Sequence, residues 1–431
     1  MSTEKATRSV SGDDESPPAL VGKKRYHDLD AVRGFAMLLG IVIHGLMSFM
    51  PIPIPGLPQD INQNPEVFGY VFNFIHGFRM QLFFLISGFF TAMLWRKQGL
   101  RKLLMHRAKR ILLPLVLALP VIWVLMFTIV VMNGEHQNPS AESGSAMETN
   151  LKSFGALGVR FLGLPLFIAV MAPIMIHLWF LYYLLWLILG FVLIIKLLQR
   201  FPIKPVSSRM IRTPWLWLIP LTLLPQLFNG LIGIMMGISI IGPDTFGGVV
   251  PWPPQLIYYA VFFGFGAICY GREEFDQAIG RRWKVYFILS VPALLLGMHW
   301  VELRNEAYKA GWEGNQSVII WYHFLTSLFQ LFFAWLMIFG FIGFFRRFFS
   351  EENKKVRYIS DASYWIYIAH MPLITALQFW VSKWPYPSFL KFLFIFTITV
   401  GILMLIYEYA IRYTWVGTML NGKRTRKSAS T

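Results

Sequence analysis

Residues 26–49, YHDLDAVRGFAMLLGIVIHGLMSF, read as an apolar helix that carries two ionisable side chains. Arg33 and His44 stand eleven positions apart, which at about 100° per residue is about 20° beyond three full turns, so both project from one face about 16 Å apart. A plain lipid anchor carries neither. Ionisable groups within a span are costly and turn toward a bundle interior or an aqueous cavity, so this pair is the first candidate for a functional site. The competing reading is an arginine at the membrane edge and a histidine hydrogen-bonded inside the bundle.

The rest of the chain agrees with a membrane setting. Of 431 residues, 56% are hydrophobic, 17% aromatic and only 14% charged, and the mean hydropathy is +0.53. That composition describes an all-α polytopic membrane protein embedded in the lipid bilayer and excludes a soluble enzyme with a single anchor. The formal charge of +17 does not indicate nucleic acid, because the Lys and Arg residues sit in short clusters between apolar segments. Cys269 is the only cysteine, which excludes an intrachain disulfide framework and a cysteine metal cluster. Residues 1–25 are polar without an apolar core and read as a tail, so the first span itself targets the chain.

Ten apolar segments are long enough to cross: 31–50, 68–94, 111–133, 177–197, 214–238, 255–271, 285–301, 317–345, 360–381 and 389–412. Alternating from a cytoplasmic N-terminus puts the basic stretches 96–110, 196–212, 272–284, 346–357 and the C-terminal tail inside. The outer connections are poorer in Lys and Arg. About ten transmembrane helices with both termini cytoplasmic is the expectation, divided as a polar tail 1–28, a membrane domain 29–417 and a basic tail 418–431. Residues 161–176, FLGLPLFIAVMAPIMI, are short, apolar and interrupted by Pro165 and Pro173, and read as a re-entrant or interfacial piece on the outer side.

Further polar groups accompany the first pair. In IHGFRMQLFFLISGFF, His76 and Arg79 are i,i+3 neighbours and Ser87 follows His76 by eleven, which places all three on a common face. A central Arg costs roughly 2.5–3.5 kcal/mol on insertion scales, so it demands a partner, an anion or water. Arg107 and Arg110 are i,i+3 on a helix entering the third span, where two guanidiniums can grip phosphates, although a basic inner loop is also what topology alone requires. His177 opens the fourth span beside aromatic residues. Ser363, Tyr367 and His370 make one stripe in YISDASYWIYIAHMPLI. Glu408 is a further buried candidate, with Arg412 at i+4 as a structural partner, and packing is the favoured role for His323.

The spacing Arg33-x10-His44, the pair Arg107-x-x-Arg110 and the stretch ASYWIYIAHMP together resemble the acyltransferase 3 family of integral membrane acyltransferases. FIHGFRMQLFFLISGFF, HLWFL and the closing Tyr407-Glu408 resemble in particular its glucan-modifying branch, and the likeness runs from Leu29 to about Lys423. The resemblance implies transfer of an acyl group, succinyl or acetyl, from a cytoplasmic acyl-CoA donor to an extracytoplasmic glycan such as a periplasmic glucan at a bacterial inner membrane. Acyl-CoA is then a substrate, with no permanently bound cofactor, no metal and no nucleic-acid partner.

The residues suit that chemistry. O-acylation needs a base for the sugar hydroxyl proton, and a neutral imidazole with an ordinary pKa near about 6.5 serves. It also needs hydrogen-bond donors where the oxyanion forms. His44 is expected to be the base, with Arg33, His76, Arg79 and His370 in the catalytic group. Arg107 and Arg110 would hold donor phosphates, with Ser87, His177, Ser363, Tyr367 and Glu408 lining the substrate path. A proton-coupled or anion transporter using the same His and Arg residues is the alternative, and a non-catalytic assembly protein would leave the polar stripes unexplained.

Overall fold

The computed structural model describes residues 26–50, 56–133, 169, 174–202, 206–230, 240–243, 247–311, 314–422 and 424, and these contain helices and no strand. Among the described residues, six helical stretches are long and apolar enough to cross a bilayer: His27–Phe49, Pro65–Met132, Ile176–Arg200, Trp283–Lys309, Gln316–Phe348 and Ser388–Ile411. Shorter apolar helices cover Trp215–Leu227 and Pro253–Cys269. Large apolar side chains such as Val124, Phe127, Ile288 and Phe389 are more than half exposed. Such a surface requires lipid around it. The protein is a multi-pass membrane protein.

Helix α1 (His27–Leu46) packs against α2 (Pro65–His76), α3 (Arg79–Arg107), α11 (Gln316–Phe348), α12 (Lys354–Val381) and α13 (Ser388–Ile406). Small residues permit this: a Cβ on Gly34 would press on Ser360 of α12. Asp28 and Asp30 lie in the first turn of α1, where the helix dipole favours negative charge. The remaining elements, in chain order, are α4 (Leu113–Met132), α5 (Trp179–Arg200), α6 (Ser208–Arg212), α7 (Trp215–Leu227), α8 (Pro253–Cys269), α9 (Glu273–Gln277) and α10 (Trp283–Lys309), with α14 (Trp415–Asn421) closing the fold. Between α3 and α8, side chains on Gly88 and Gly266 would overlap the Phe263 and Leu85 carbonyls. Only glycine lets these two backbones touch.

The segment 68–94 is not one helix. Asn64 caps α2 by accepting from Val67 N at 3.2 Å, α2 ends at His76, and Phe78 takes φ −133° before α3 starts at Arg79. The break sits at Phe78, since Gly77 keeps helical torsions and its bond to the Asn73 carbonyl. Residues 161–176 lie largely outside the described residues, as do residues 1–25. A buried ion pair ties the connection between α1 and α2 to α13. Lys391 Nζ donates to Asp60 at 2.6 and 2.8 Å and to the Trp384 carbonyl at 2.8 Å, with both charged side chains 1% exposed.

Candidate active site

One face of α1 connects two cavities. Arg33, Met37, Gly40 and His44 follow at i, i+4, i+7 and i+11, the spacing of a straight helical stripe. Arg33 and Met37 line a cavity of about 620 Å³. Met37, Gly40 and His44 line a second, of about 20 Å³. Met37 of α1, Phe83 of α3 and Phe180 of α5 border both, with the two phenylalanine rings 4.4 Å apart and perpendicular. These three side chains form a collar between the cavities.

The larger cavity is basic. Arg33, Lys97, Arg107, Arg110 and Arg424 line it against the carboxylates of Asp30 and Asp361. The expectation of a regular helix through Arg107 and Arg110 is corrected here, because α3 ends at Arg107 and Ala108–Leu112 forms a π-turn before α4. The extra residue in that turn still delivers both guanidiniums to one wall. Arg107 donates to Thr91 Oγ1 at 3.0 Å, and its Nε has no partner. Tyr364 donates its hydroxyl to the Arg110 carbonyl at 2.6 Å, fixing the turn. Arg33 lies 3.5 Å from Asp30 and over the Phe90 ring. Ser87 lines this cavity as well.

The small chamber gathers residues from three helices and one turn: His44 (α1), Arg79 (α3), Tyr367 and His370 (α12), and His177 in the 3-10 turn before α5. The rings of His44 and His370 are 5.3 Å apart, His177 and His370 4.8 Å, and His44 and His177 6.3 Å. Arg79 enters because Gly40 has no side chain, since a Cβ there would meet its guanidinium. Its Nε is buried without a partner. Among the described residues, no group of three His, Cys, Asp or Glu is arranged to hold a metal ion.

Two of the tautomers follow from backbone geometry. His370 Nδ1 faces the Tyr367 carbonyl at 2.7 Å and the Ile366 carbonyl at 3.1 Å. A carbonyl only accepts, so Nδ1 carries the proton and Nε2, which has no partner, keeps its lone pair. His177 Nε2 donates to the Ile368 carbonyl at 3.0 Å, which leaves Nδ1 bare. Pro372 explains why that carbonyl is available: it sits four residues after Ile368 inside α12 and has no N–H to close the helical bond. The stretch IAHMP therefore positions His177 as well as His370. Tyr367 donates to the His177 carbonyl at 2.8 Å and buttresses the same turn.

Other expected site residues lie elsewhere. The break at Phe78 separates His76 from Arg79, so His76 does not share the face predicted for it with Arg79 and Ser87. His76 stacks on Phe72 and its Nδ1 donates to the Ile241 carbonyl at 2.7 Å, away from the chamber. Ser363 is spent on the Ser360 carbonyl at 2.9 Å and touches Met37 Sδ at 3.4 Å, lining neither cavity. Glu408 accepts from Arg412 at 2.7 Å, a local ion pair on a π-turn, and also lines neither. His323 Nε2 meets the Leu227 carbonyl at 3.0 Å, a packing role. Sequence reasoning missed Asp361, Tyr364 and Arg424. Asp361 and Tyr364 are i,i+3 in the N-terminal part of α12, and an acid at the edge of an apolar segment was the available signal.

A basic cavity meets, across an apolar collar, a cluster of histidines and an arginine within a multi-pass bundle, an arrangement that fits a membrane enzyme of group transfer. A family model for an acyltransferase domain matches residues 26–408, and the chain belongs to that acyltransferase 3 family; it is a membrane acyltransferase. It is similar to the glucans biosynthesis protein C of Escherichia coli O157:H7 (strain EC4115 / EHEC), with 24% identity over 413 residues covering 94% of this chain and 96% of the relative. The protein of the same name from Escherichia coli (strain SMS-3-5 / SECEC) is similar at 24% identity over the same coverage. No solved structure matches.

Proposed function

We propose that this acyltransferase moves a short acyl group, succinyl or acetyl, from a cytoplasmic acyl-CoA to a hydroxyl of an extracytoplasmic glycan, most simply a glucan. The observation that carries the reading is the continuous stripe on α1, which leads from Arg33 in the basic cavity past Met37 to His44 in the chamber. The names of the similar proteins support a glucan acceptor. A topology of ten spans in a bacterial inner membrane with both ends inside puts the basic cavity on the cytoplasmic side, which suits a phosphorylated donor, and the charge pattern of the loops supports it.

In this reading the donor's phosphates rest against Arg33, Arg107 and Arg110 while its pantetheine arm passes the collar. His44 takes the proton of the sugar hydroxyl as the oxygen attacks the thioester carbonyl. Arg79 donates hydrogen bonds to the oxyanion. Collapse breaks the carbon–sulfur bond, and the imidazolium returns its proton to the departing thiolate, leaving an ester and free coenzyme A. His370 and His177, held by backbone carbonyls, orient the ring of His44. The chamber's volume of about 20 Å³ holds about one water, so the collar must open to admit the acyl group. Mass spectrometry of envelope glycans from cells with and without the chain tests this. Ester-linked acyl groups that vanish with the chain are expected, and an unchanged glycan profile refutes the reading.

A further inference from the structure

The C-terminal segment after the last long helix is built into the basic cavity. Asn421, at the end of α14, donates to the Asp361 carbonyl at 2.7 Å, and Arg424 Nη2 donates to the Asp361 carboxylate. Gly422 adopts a left-handed φ of +83°, and a Cβ there would stand 2.7 Å from Arg110 Nη2. This segment thus rests on Arg110 from one side and on Asp361 from the other. Leu420 anchors it at 3% exposure. Asn421, Arg424 and Asp361 all line the cavity that holds Arg33, Arg107 and Arg110.

We propose that Arg424 is a further binding residue for the donor's phosphate groups, and that Asp361 is the positioning residue that aims it. The assignment rests on the donor reading above. A guanidinium has five N–H donors. Asp361 engages one nitrogen, so a forked edge remains for a phosphate, as bidentate recognition requires. Asp361 also lowers the cost of gathering cations around the cavity. Five cations against its two carboxylates leave three positive charges unmatched, a surplus fitted to a polyanionic nucleotide head and useless to a neutral pantetheine arm.

The test is calorimetric binding of coenzyme A and of pantetheine to the purified full chain in detergent. Arg424→Gln should weaken coenzyme A about tenfold or more, the loss of one charge-assisted phosphate contact, while changing pantetheine affinity less than twofold. Arg424→Lys should recover only part, because an ammonium keeps the charge without the fork. Asp361→Asn should weaken coenzyme A by a smaller factor in the same direction. Gly422→Ala, which crowds Arg110, should also weaken it, and a melting curve on each variant separates misfolding from lost contacts. Wild-type binding with folded Arg424→Gln and Asp361→Asn unchanged overturns the assignment while sparing the donor reading. Equal loss of pantetheine and coenzyme A also overturns it, since that pattern marks a structural role. A wild-type chain that binds neither compound overturns the donor reading itself, and the assignment with it.

Discussion

Replacing Pro372 by Ala should make the protein more stable and less active. Pro372 lies inside α12, and its missing N–H leaves the Ile368 carbonyl to His177 Nε2 at 3.0 Å. Alanine returns a helical donor to that carbonyl. Restoring one backbone hydrogen bond is worth about 1 kcal/mol, and relief of the ring's steric conflict with the preceding turn adds to it. The His177 ring then loses its preferred acceptor. Forfeiting an orientation worth about 0.5–1.5 kcal/mol lowers kcat about twofold to tenfold, given that 1.4 kcal/mol is a factor of ten. The assay is a double-mutant cycle of Pro372→Ala with His177→Ala, reading kcat for glycan acylation beside the melting temperature. Once His177 is gone, Pro372→Ala should have no further effect on kcat. The reasoning fails if Pro372→Ala slows the His177→Ala enzyme as much as it slows wild type, or if it stabilises the fold and leaves kcat untouched.

Other expectations follow from the same geometry. Lys391→Ala strands the buried carboxylate of Asp60 and should destabilise the protein by about 3–5 kcal/mol, with Asp60→Ala in the same chain restoring part of the loss in thermal denaturation. Arg107→Gln with Arg110→Gln should raise the KM for acyl-CoA about tenfold or more, and Lys at both positions should rescue it partly; full rescue by Lys with an unchanged KM in inserted Gln protein would reduce the pair to topology signals. Accessibility tags after Ser140 and Asp244 should label from outside, and tags after Gln277 and Lys354 only from inside. One reversed tag would break the ten-span arrangement.

The parts legible in the sequence are those set by local periodicity. Arg33 and His44 share a stripe because α1 is straight between them, and Tyr367 and His370 share the chamber for the same reason on α12. The pair Arg107 and Arg110 was legible as a pair, although the π-turn that presents it was not. The misreadings come where one backbone torsion or one distant partner decides. A helical wheel cannot see that Phe78 interrupts the helix, so His76 was grouped with Arg79. Ser363 fits its stripe, but its hydroxyl is consumed within its own helix. The ion pair of Asp60 with Lys391 joins residues 331 positions apart, and Arg424 meets Asp361 across 63, so neither leaves a local pattern to read. His177 was placed on the substrate path, but its carbonyl partner belongs to α12 and is freed by Pro372, so what holds its ring left no local pattern to read.

The central claim is that donor and acceptor are used from opposite sides of the membrane through the His44 chamber. Sealed vesicles carrying the chain in its native orientation, loaded with radiolabelled succinyl-CoA or acetyl-CoA and supplied with a soluble glucan outside only, test it directly. Ester-linked label on the external glucan, with free coenzyme A accumulating inside and neither appearing in vesicles carrying His44→Ala, is the predicted result. Label that leaves the vesicles without forming an ester, or glucan that is acylated only when the donor is added outside, would contradict it.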